Sequence, residues 1–400
     1  MTTYDFDTII DRKHTDCAKW DAASFLFGDK DVIPMWVADM DFSVARPITE
    51  ALKARCDHPV YGYFMPGAPS VRRAICQRLR RKYDWEIDPQ WIVMTPGIVP
   101  TLSFVLRSLT SAGDAVIHQS PVYYPFWSVI EGAGCRIARN PLRFNGGRYE
   151  MDFENLKDQF SPRVRMTPAP SRVRAMILCN PHNPVGRVWT REELIRAGEI
   201  VLAHDAVMVS DEIHCELVFK GFDHTPFASI SKAFEQRSIT CMSASKTFNL
   251  AGLDTAFLII PNEKLQNRFK AVSHHALPGG NIFGTVALEA AFAHGDQWLE
   301  QLLDYLQGNL TFLTEYFKKR IPRIRVIRTE GTYLAWLDCR ALGMDADALA
   351  AFMNQKARVG LDHGIAFGPD GAGFERINIA CPRAILEKAL GRIEAAVKQI

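Results

Sequence analysis

The chain has 400 residues, 48% of them hydrophobic, so it is long enough to bury a large core in one or two domains. Its 47 lysines and arginines nearly balance its 45 acidic residues, so the charge gives no indication of a nucleic-acid or anionic-membrane partner. No stretch approaches the roughly 20 consecutive apolar residues of a transmembrane helix, and we expect no membrane span. The nine cysteines are scattered without a C-x-x-C pair, so we expect no metal site. Their odd number, and the lack of an apolar run of signal-peptide length within Met1–Lys13, favour a reducing cytoplasm.

Short apolar runs alternate with helix-like stretches through the middle of the chain. Several runs are apolar throughout, as expected for strands that are covered on both faces. The predicted strands are Trp91–Met94, Ala115–His118, Cys135–Ala138, Ala175–Cys179, Ala206–Ser210, Ile239–Ser243 and Thr255–Ile260. The predicted helices between them include Thr101–Ser111, Pro125–Gly132 and Thr190–His204, the last opening with a capping box of Thr190 and Glu193. This alternation predicts an α/β fold with a seven-stranded, mainly parallel sheet covered by helices.

The pattern changes after about residue 285. A long helical region is predicted over Val286–Lys319, followed by a strand at Tyr333–Leu337, a helix near Asp345–Lys356, a strand at Arg376–Ala380 and a terminal helix. We therefore expect a large domain of residues 46–285 and a smaller α+β domain of residues 286–400, to which residues 1–45 return.

Candidate functional residues follow the predicted strands, and ligands of open α/β sheets bind beyond the carboxyl ends of the strands. Gly97 and Ile98 follow the first strand and open a helix whose first amides can bind a phosphate group, although an ordinary strand–helix turn explains them as well. Tyr123 and Tyr124 follow the second strand, where they can stack on a flat ring. Interface or core packing explains two adjacent tyrosines equally well.

Polar residues follow the fourth, fifth and sixth predicted strands. Asn183 lies in a loop made rigid by prolines, and Asp211 directly ends its strand, where a carboxylate is costly to bury unless it is paired. A protonated ring nitrogen, an arginine or a helix N-cap role would each provide that pairing. Lys246 follows Ser243 among small residues, where desolvation can make its amine nucleophilic, although an isolated lysine is more often a surface residue.

Four motifs resemble the fold-type I pyridoxal-phosphate enzymes of the aminotransferase class I/II superfamily. They are Trp36–Phe42, Val60–Tyr63, Ser210–His214 and Ser245–Asn249, within a resemblance that extends from about Ile33 to Arg383. They are most similar to the MalY/PatB branch, whose members are typically cysteine-S-conjugate or cystathionine β-lyases. The resemblance implies pyridoxal 5'-phosphate as the cofactor, a small amino acid as the substrate, and a homodimer with shared active sites.

The resemblance also implies a role for each candidate residue. Lys246 would hold the cofactor as a Schiff base and later move the Cα proton, Asp211 would keep the pyridine nitrogen protonated, and Tyr123 would stack on the ring. Asn183 would bind the phenolic oxygen of the ring, and His214 lies near a position where many relatives carry a tyrosine. Gly97, Ile98 and Ser243 would bind the phosphate, together with Tyr63 of the partner subunit. Arg376 would bind the substrate α-carboxylate through two parallel donors. Separately from the resemblance, we expect side chains around Trp36, Tyr124 and His274–Pro278 to lie near the Cβ substituent and to set selectivity.

One position departs from the pattern of typical aminotransferases. They carry an arginine for the cofactor phosphate eight residues after the lysine, and this chain has Asp254 there. The lyase branch commonly lacks this arginine too, so we expect a carbon–sulfur β-lyase that converts cystathionine or a related cysteine S-conjugate to pyruvate, ammonia and a thiol. The alternative is an aminotransferase, which shares every step up to the loss of the Cα proton.

Two hypotheses from other classes remain. A regulatory protein could use this scaffold to bind a partner, because a fold does not fix a function. A nicotinamide-dependent enzyme is disfavoured, because no G-x-G-x-x-G motif follows a predicted strand and opens a helix.

Overall fold

The computed structural model describes residues 2–161 and 172–400 of the chain. Its helices are α1 (Ala18–Asp21), α2 (Ala23–Phe27), α3 (Arg46–Cys56), α4 (Pro69–Tyr83), α5 (Ile98–Leu109), α6 (Pro125–Gly132), α7 (Phe153–Gln159), α8 (Arg191–Ala203), α9 (Lys232–Gln236), α10 (Glu263–Ser273), α11 (Ile282–His294), α12 (Asp296–Arg320), α13 (Ala346–Ala351) and α14 (Arg383–Val397). Within the described ranges, none of these helices has the length and apolar character needed to cross a membrane.

The strands of the described residues form one large sheet and several smaller ones. They are β1 (Ile33–Pro34), β2 (Ile92–Thr95), β3 (Ala115–His118), β4 (Arg136–Arg139), β5 (Arg143–Phe144), β6 (Tyr149–Glu150), β7 (Val173–Cys179), β8 (Val207–Asp211), β9 (Ser238–Met242), β10 (Ala256–Ile259), β11 (Arg325–Val326), β12 (Leu334–Asp338), β13 (Val359–Gly360), β14 (Asp362–His363) and β15 (Phe374–Asn378).

The large sheet has seven strands in the order β2-β10-β9-β8-β7-β3-β4. Neighbouring strands from β9 to β4 pair in parallel, whereas β10 pairs antiparallel with both β2 and β9. These seven strands overlap the seven predicted ones. The predicted α/β fold with a mainly parallel seven-stranded sheet is therefore confirmed.

Strand β8 shows why the predicted strands are apolar throughout. Successive side chains of a strand point to opposite faces of its sheet. Met208 packs in a buried cluster with Leu194 of α8, and Val209 packs in a separate cluster with Leu102 of α5. Both faces of the sheet are thus covered by helices, and neither face favours polar residues.

The C-terminal part of the chain contains a second, antiparallel sheet in the order β11-β12-β15-β14. Strand β1 pairs in parallel with β13, with Ile33 opposite Val359, so an N-terminal segment lies beside this region. The division into a domain of residues 46–285 and a domain of residues 1–45 with 286–400 stays a prediction.

The helical region predicted over Val286–Lys319 requires a correction, because it consists of two helices, α11 and α12, that separate at Gly295. A Cβ atom on Gly295 would lie 2.3 Å from a ring carbon of Phe248 and 2.5 Å from the carbonyl oxygen of Ala291. The close approach of the Phe248 ring therefore requires a glycine at this position.

Candidate active site

The carboxyl ends of three neighbouring parallel strands bring the polar candidates together. Asp211 is the last residue of β8, Asn183 lies in the loop after β7, and Ser243 directly follows β9. These strands are adjacent and run in the same direction, so the residues after them meet at one edge of the sheet. At that edge a cavity of about 340 Å³ opens.

Eight of the predicted site residues line this cavity. They are Gly97, Ile98, Tyr123, Asn183, Asp211, His214, Ser243 and Lys246. Tyr124 lies beside it, with its ring 5.2 Å from the ring of Tyr123, and Arg376 reaches it through a hydrogen bond to Asn183. Trp36 contributes its carbonyl oxygen to the same arginine. Tyr63 lies apart, fully exposed to solvent.

The amine of Lys246 is held by the backbone. Its Nζ atom donates a hydrogen bond to the carbonyl oxygen of Ala38 at 2.8 Å. Exclusion of water, and then the positive charge of Arg376, lower the pKa of Lys246 to about 8. The neutral, nucleophilic form of the amine is therefore much more populated near physiological pH than it is for an ordinary lysine.

The carboxyl group of Asp211 is buried, with 5% of the residue exposed. Burial raises its pKa to about 7, although a hydrogen bond at 3.2 Å from the backbone N–H of Ile213 opposes that shift. The sequence alone allowed this carboxyl group to pair with an arginine or to cap a helix. Within the part of the chain that the structure describes, no arginine shifts the pKa of Asp211, and the positive charge of Lys246 lowers it by less than burial raises it. A cationic ligand would therefore meet a buried carboxyl group without an ion-pair partner here.

The phosphate-binding end predicted for helix α5 lies in the same cavity. Gly97 is the residue before the first turn of this 12-residue helix, and its φ of 172° is an extended conformation open to any residue. A Cβ atom on Gly97 would contact only carbon atoms of Pro100, at 3.8 Å. The space beside the first amides of α5 is therefore open to a ligand, and a helix N-terminus favours an anion.

Tyr123 and His214 lie on the walls of the cavity. Burial raises the pKa of the Tyr123 phenol to about 12, so the ring stays neutral. Burial lowers the pKa of His214 to about 3, so its imidazole is neutral as well. The Nδ1 atom of His214 is buried without a hydrogen-bond partner among the described residues, which leaves it free for a ligand.

Arg376 is almost completely buried, with 2% of the residue exposed. Its Nη1 atom donates to the side-chain oxygen of Asn183 at 2.8 Å, and its Nη2 atom donates to the carbonyl oxygen of Trp36 at 2.8 Å and to the carboxylate of Asp362. The predicted carboxylate-binding arginine is thus connected to the predicted cofactor-binding asparagine.

Several residues of the site were missed at the level of sequence. Ala38 lies within the Trp36–Phe42 motif, but nothing in the motif marks its backbone carbonyl, and Asp362 has no distinctive neighbours. The carbonyl of one and the carboxylate of the other contact the site only once the chain is folded. Cys179 and Thr255, which line the cavity, lie at strand ends and could have been found by listing every residue at that edge of the sheet. Asp254 also lines the cavity, and within the described residues no arginine does.

Comparison with known proteins agrees with this geometry. The family model "Aminotransferase class I and II" matches residues 30–393. Cystathionine beta-lyase PatB of Bacillus subtilis is 41% identical, over 98% of this chain and 99% of its own length. Two structures that contain the pyridoxal-phosphate cofactor superpose closely on this chain. Cystalysin from Treponema denticola has a TM-score of 0.94 and 35% identity, with all of both chains covered. A C-S lyase from Staphylococcus hominis has a TM-score of 0.90 and 32% identity, with 99% of this chain and 98% of the lyase covered.

Proposed function

The chain belongs to the aminotransferase class I and II family, and from that premise we propose that it is a pyridoxal-phosphate-dependent carbon–sulfur β-lyase. Its substrates are cystathionine or related cysteine S-conjugates, which react with water to give pyruvate, ammonia and a thiol. The observation that carries the proposal is the presence of a lysine with a lowered pKa and a buried, unneutralised aspartate in one cavity of a chain closely similar to a named lyase.

The residues that line the cavity fit pyridoxal phosphate. When bound, this cofactor supplies a carbonyl carbon that reacts with amines and a ring that delocalises the charge left when Cα loses its proton. Lys246 would hold the carbonyl carbon, and Asp211 would pair with the protonated ring nitrogen, which is the partner that its burial demands. Asn183 and His214 would form hydrogen bonds with the polar edge of the ring, and Tyr123 would stack on the face of the ring.

The phosphate would bind without an arginine. Gly97 and Ile98 offer the first amides of α5. Ser243 lines the same cavity, where its hydroxyl group donates to the carbonyl oxygen of Thr255 at 2.8 Å, and it would have to turn from that oxygen to donate to the phosphate. Asp254 adds a negative charge to the same cavity. We propose that Tyr63 of the partner subunit supplies a further hydroxyl donor, which the full exposure of Tyr63 on its own subunit supports.

Within the bound complex, each residue performs a simple task. Arg376 binds the α-carboxylate and thereby fixes the orientation of the bonds at Cα. The amine of Lys246, neutral at slightly alkaline pH, removes the Cα proton and can return it to another atom. Asp211 keeps a proton on its partner nitrogen. Trp36 contacts Arg376 through its carbonyl oxygen, and the ring of Tyr124 lies beside that of Tyr123. We propose that both residues contact the substituent on Cβ.

The experiment that tests this function is a panel of S-substituted cysteines incubated with the purified holoprotein. The proposal predicts equal amounts of pyruvate and thiol without any added keto acid. An aminotransferase, which would use the same lysine, would instead convert the cofactor to its pyridoxamine form and would need a keto acid for further turnover. Formation of pyridoxamine phosphate without release of a thiol would refute the lyase assignment.

We further propose that two copies of the chain form a cytoplasmic homodimer with shared active sites. The loop that carries Tyr63 exposes three more large apolar side chains, those of Val60, Tyr61 and Met65. Solvent-exposed clusters of this kind are typical of protein–protein interfaces. A second copy that covers this loop would also bring Tyr63 to a neighbouring cavity.

A further inference from the structure

The guanidinium group of Arg376 has few donors left for a substrate. A guanidinium carries five N–H bonds, of which Nη1 and Nη2 have two each and Nε has one. Both N–H bonds of Nη2 are used, one by the carbonyl oxygen of Trp36 and one by the carboxylate of Asp362. One N–H bond of Nη1 is used by Asn183, and Nε is buried without a partner among the described residues.

A carboxylate that binds an arginine in the preferred, two-point geometry needs one N–H from each of two nitrogens. For a substrate α-carboxylate at Nη1 and Nη2, a donor of Nη2 must therefore first be released. The carbonyl oxygen of Trp36 is part of the backbone, whereas the carboxylate of Asp362 is attached through a rotatable side chain. Asp362 is the ligand of Arg376 that can leave.

The position of Asp362 suits such an exchange. Asp362 lies on β14 directly opposite Arg376 on β15, so the two side chains start from neighbouring backbone positions. The side chain of Asp362 keeps 12% exposure, so water can reach it. Burial raises the pKa of Tyr124, and the charge of Asp362 raises it further, which shows that this carboxylate is close to the side of the cavity assigned to the substrate.

We propose that Asp362 is an internal competitor for the substrate-binding arginine: it occupies Nη2 of Arg376 in the substrate-free protein and must be displaced by the α-carboxylate. This inference rests on the role of Arg376 in the proposed function. Asp362 keeps the buried guanidinium paired when no substrate is bound, and it lowers the affinity for every substrate that carries an α-carboxylate. Asp362 is thus a positioning residue that adjusts KM and leaves the reacting atoms untouched.

The test measures binding of 3-(methylthio)propanoate, a carboxylate without an amino group, to the holoprotein by titration calorimetry. This probe cannot be turned over, so its affinity is independent of lyase activity. Asp362→Asn removes the competing charge while keeping the shape, and we expect about tenfold tighter binding, the size of effect typical of one charge-assisted hydrogen bond. Asp362→Ser should behave in the same way, and it serves if the first variant is poorly folded.

A matched control lies in the same sheet. Asp338 on β12 is also buried and is paired with Arg325 and Arg340, both at 2.9 Å. Asp338→Asn removes a comparable ion pair away from the cavity and should leave the affinity for the probe unchanged. Arg376→Gln should abolish the binding of the probe, and equal binding by this variant would overturn the inference.

In turnover experiments, Asp362→Asn should lower KM about tenfold with kcat changed less than about twofold. Weaker binding of the probe would show that Asp362 orients the arginine rather than competing for it, and unchanged binding would exclude competition. The failure of the proposed function is a separate result, because it would appear as an absence of pyruvate from every thioether while the calorimetric shift persisted.

Discussion

The Nζ atom of Lys246 lies 2.8 Å from the carbonyl oxygen of Ala38, 208 positions earlier in the chain. The same oxygen accepts a hydrogen bond at 2.9 Å from the hydroxyl of Tyr333, which lies just before β12. The loop that follows β1 therefore joins the lysine to the C-terminal sheet. The loop that carries Ala38 is remote in sequence from the lysine, yet its backbone positions the amine. A change that displaces this loop should therefore alter the reactivity of the amine.

The first prediction concerns the residue that anchors this loop. The side-chain amide of the fully buried Asn378 donates to the carbonyl oxygens of Val37 at 2.7 Å and Asp39 at 2.6 Å, on either side of Ala38. Asn378→Ala should lower the free energy of unfolding by about 2 kcal/mol, because two partly buried carbonyl oxygens lose their donor. It should also slow the capture of pyridoxal phosphate by the apoprotein at least several-fold, as followed by absorbance.

Asn309 on α12 provides the control for this experiment. It is equally buried, and its amide donates to the carbonyl oxygens of Ile379 and Cys381, both at 2.9 Å. Asn309→Ala should cost a similar free energy of unfolding while leaving the rate of cofactor capture unchanged. Equal slowing in both variants would mean that the effect reflects general destabilisation and not the position of Ala38.

The second prediction follows from the pKa of Asp211. Burial raises that pKa from 3.8 to about 7 in the folded chain, so between these values the folded state keeps a proton that the unfolded state has released. The stability of the apoprotein should therefore fall as the pH rises from about 4 to about 7, and stay level above that range with respect to this group. Asp211→Asn should stabilise the apoprotein at pH 8 by on the order of 2 kcal/mol.

In the holoprotein the same substitution should be harmful, because an amide cannot neutralise the protonated ring nitrogen of the cofactor. We expect turnover by Asp211→Asn to fall by at least about a hundredfold. Thermal unfolding of the apoprotein and holoprotein across the pH range measures both effects. If the aspartate apoprotein were the more stable one at pH 8, the carboxyl group would already have a partner within the chain.

The third prediction concerns phosphate binding. Asp254 lines the cavity with a φ of 39°, a left-handed conformation that asparagine tolerates as well as aspartate. Asp254→Asn removes a negative charge from the cavity without introducing backbone strain. The affinity for pyridoxal phosphate should rise several-fold, and the affinity for pyridoxal, which has no phosphate, should not change. A parallel gain for both ligands would place Asp254 away from the phosphate.

The fourth prediction tests shared active sites. Lys246→Ala and Tyr63→Ala should each form weakly active or inactive dimers. Random exchange of subunits between them makes half of the dimers hybrid, and each hybrid has one intact site, so about a quarter of the wild-type activity should return. No gain in activity after proven subunit exchange would show that Tyr63 contributes to the active site of its own subunit or to no active site.

Much of the fold could be predicted from the sequence, because its central strands are buried on both faces and read as continuous apolar runs. The position of Asp211 at a strand end was visible for the same reason, since a carboxylate after such a run is conspicuous. The break at Gly295 was not predictable, because the helical pattern continues across it. The glycine is required by the ring of Phe248, which comes from a distant part of the chain.

The site could be predicted as far as it consists of residues that follow strands or match family motifs. The pairing of Asp362 with Arg376 depends on the register of β14 and β15, and the contact of Ala38 with Lys246 depends on the path of a loop. Neither register nor path is encoded by the local composition. Contacts of this kind require the folded structure.

The role of Lys246 is tested most directly by reducing the purified holoprotein with borohydride and locating the attached pyridoxyl group by mass spectrometry of its peptides. A Schiff base on Lys246 predicts a single modified residue, Lys246, within the sequence Ser245-Lys246-Thr247. It also predicts no modification of Lys246→Arg treated in the same way. A pyridoxyl group on another lysine, or a protein that binds no vitamin B6 derivative even after reconstitution, would contradict it.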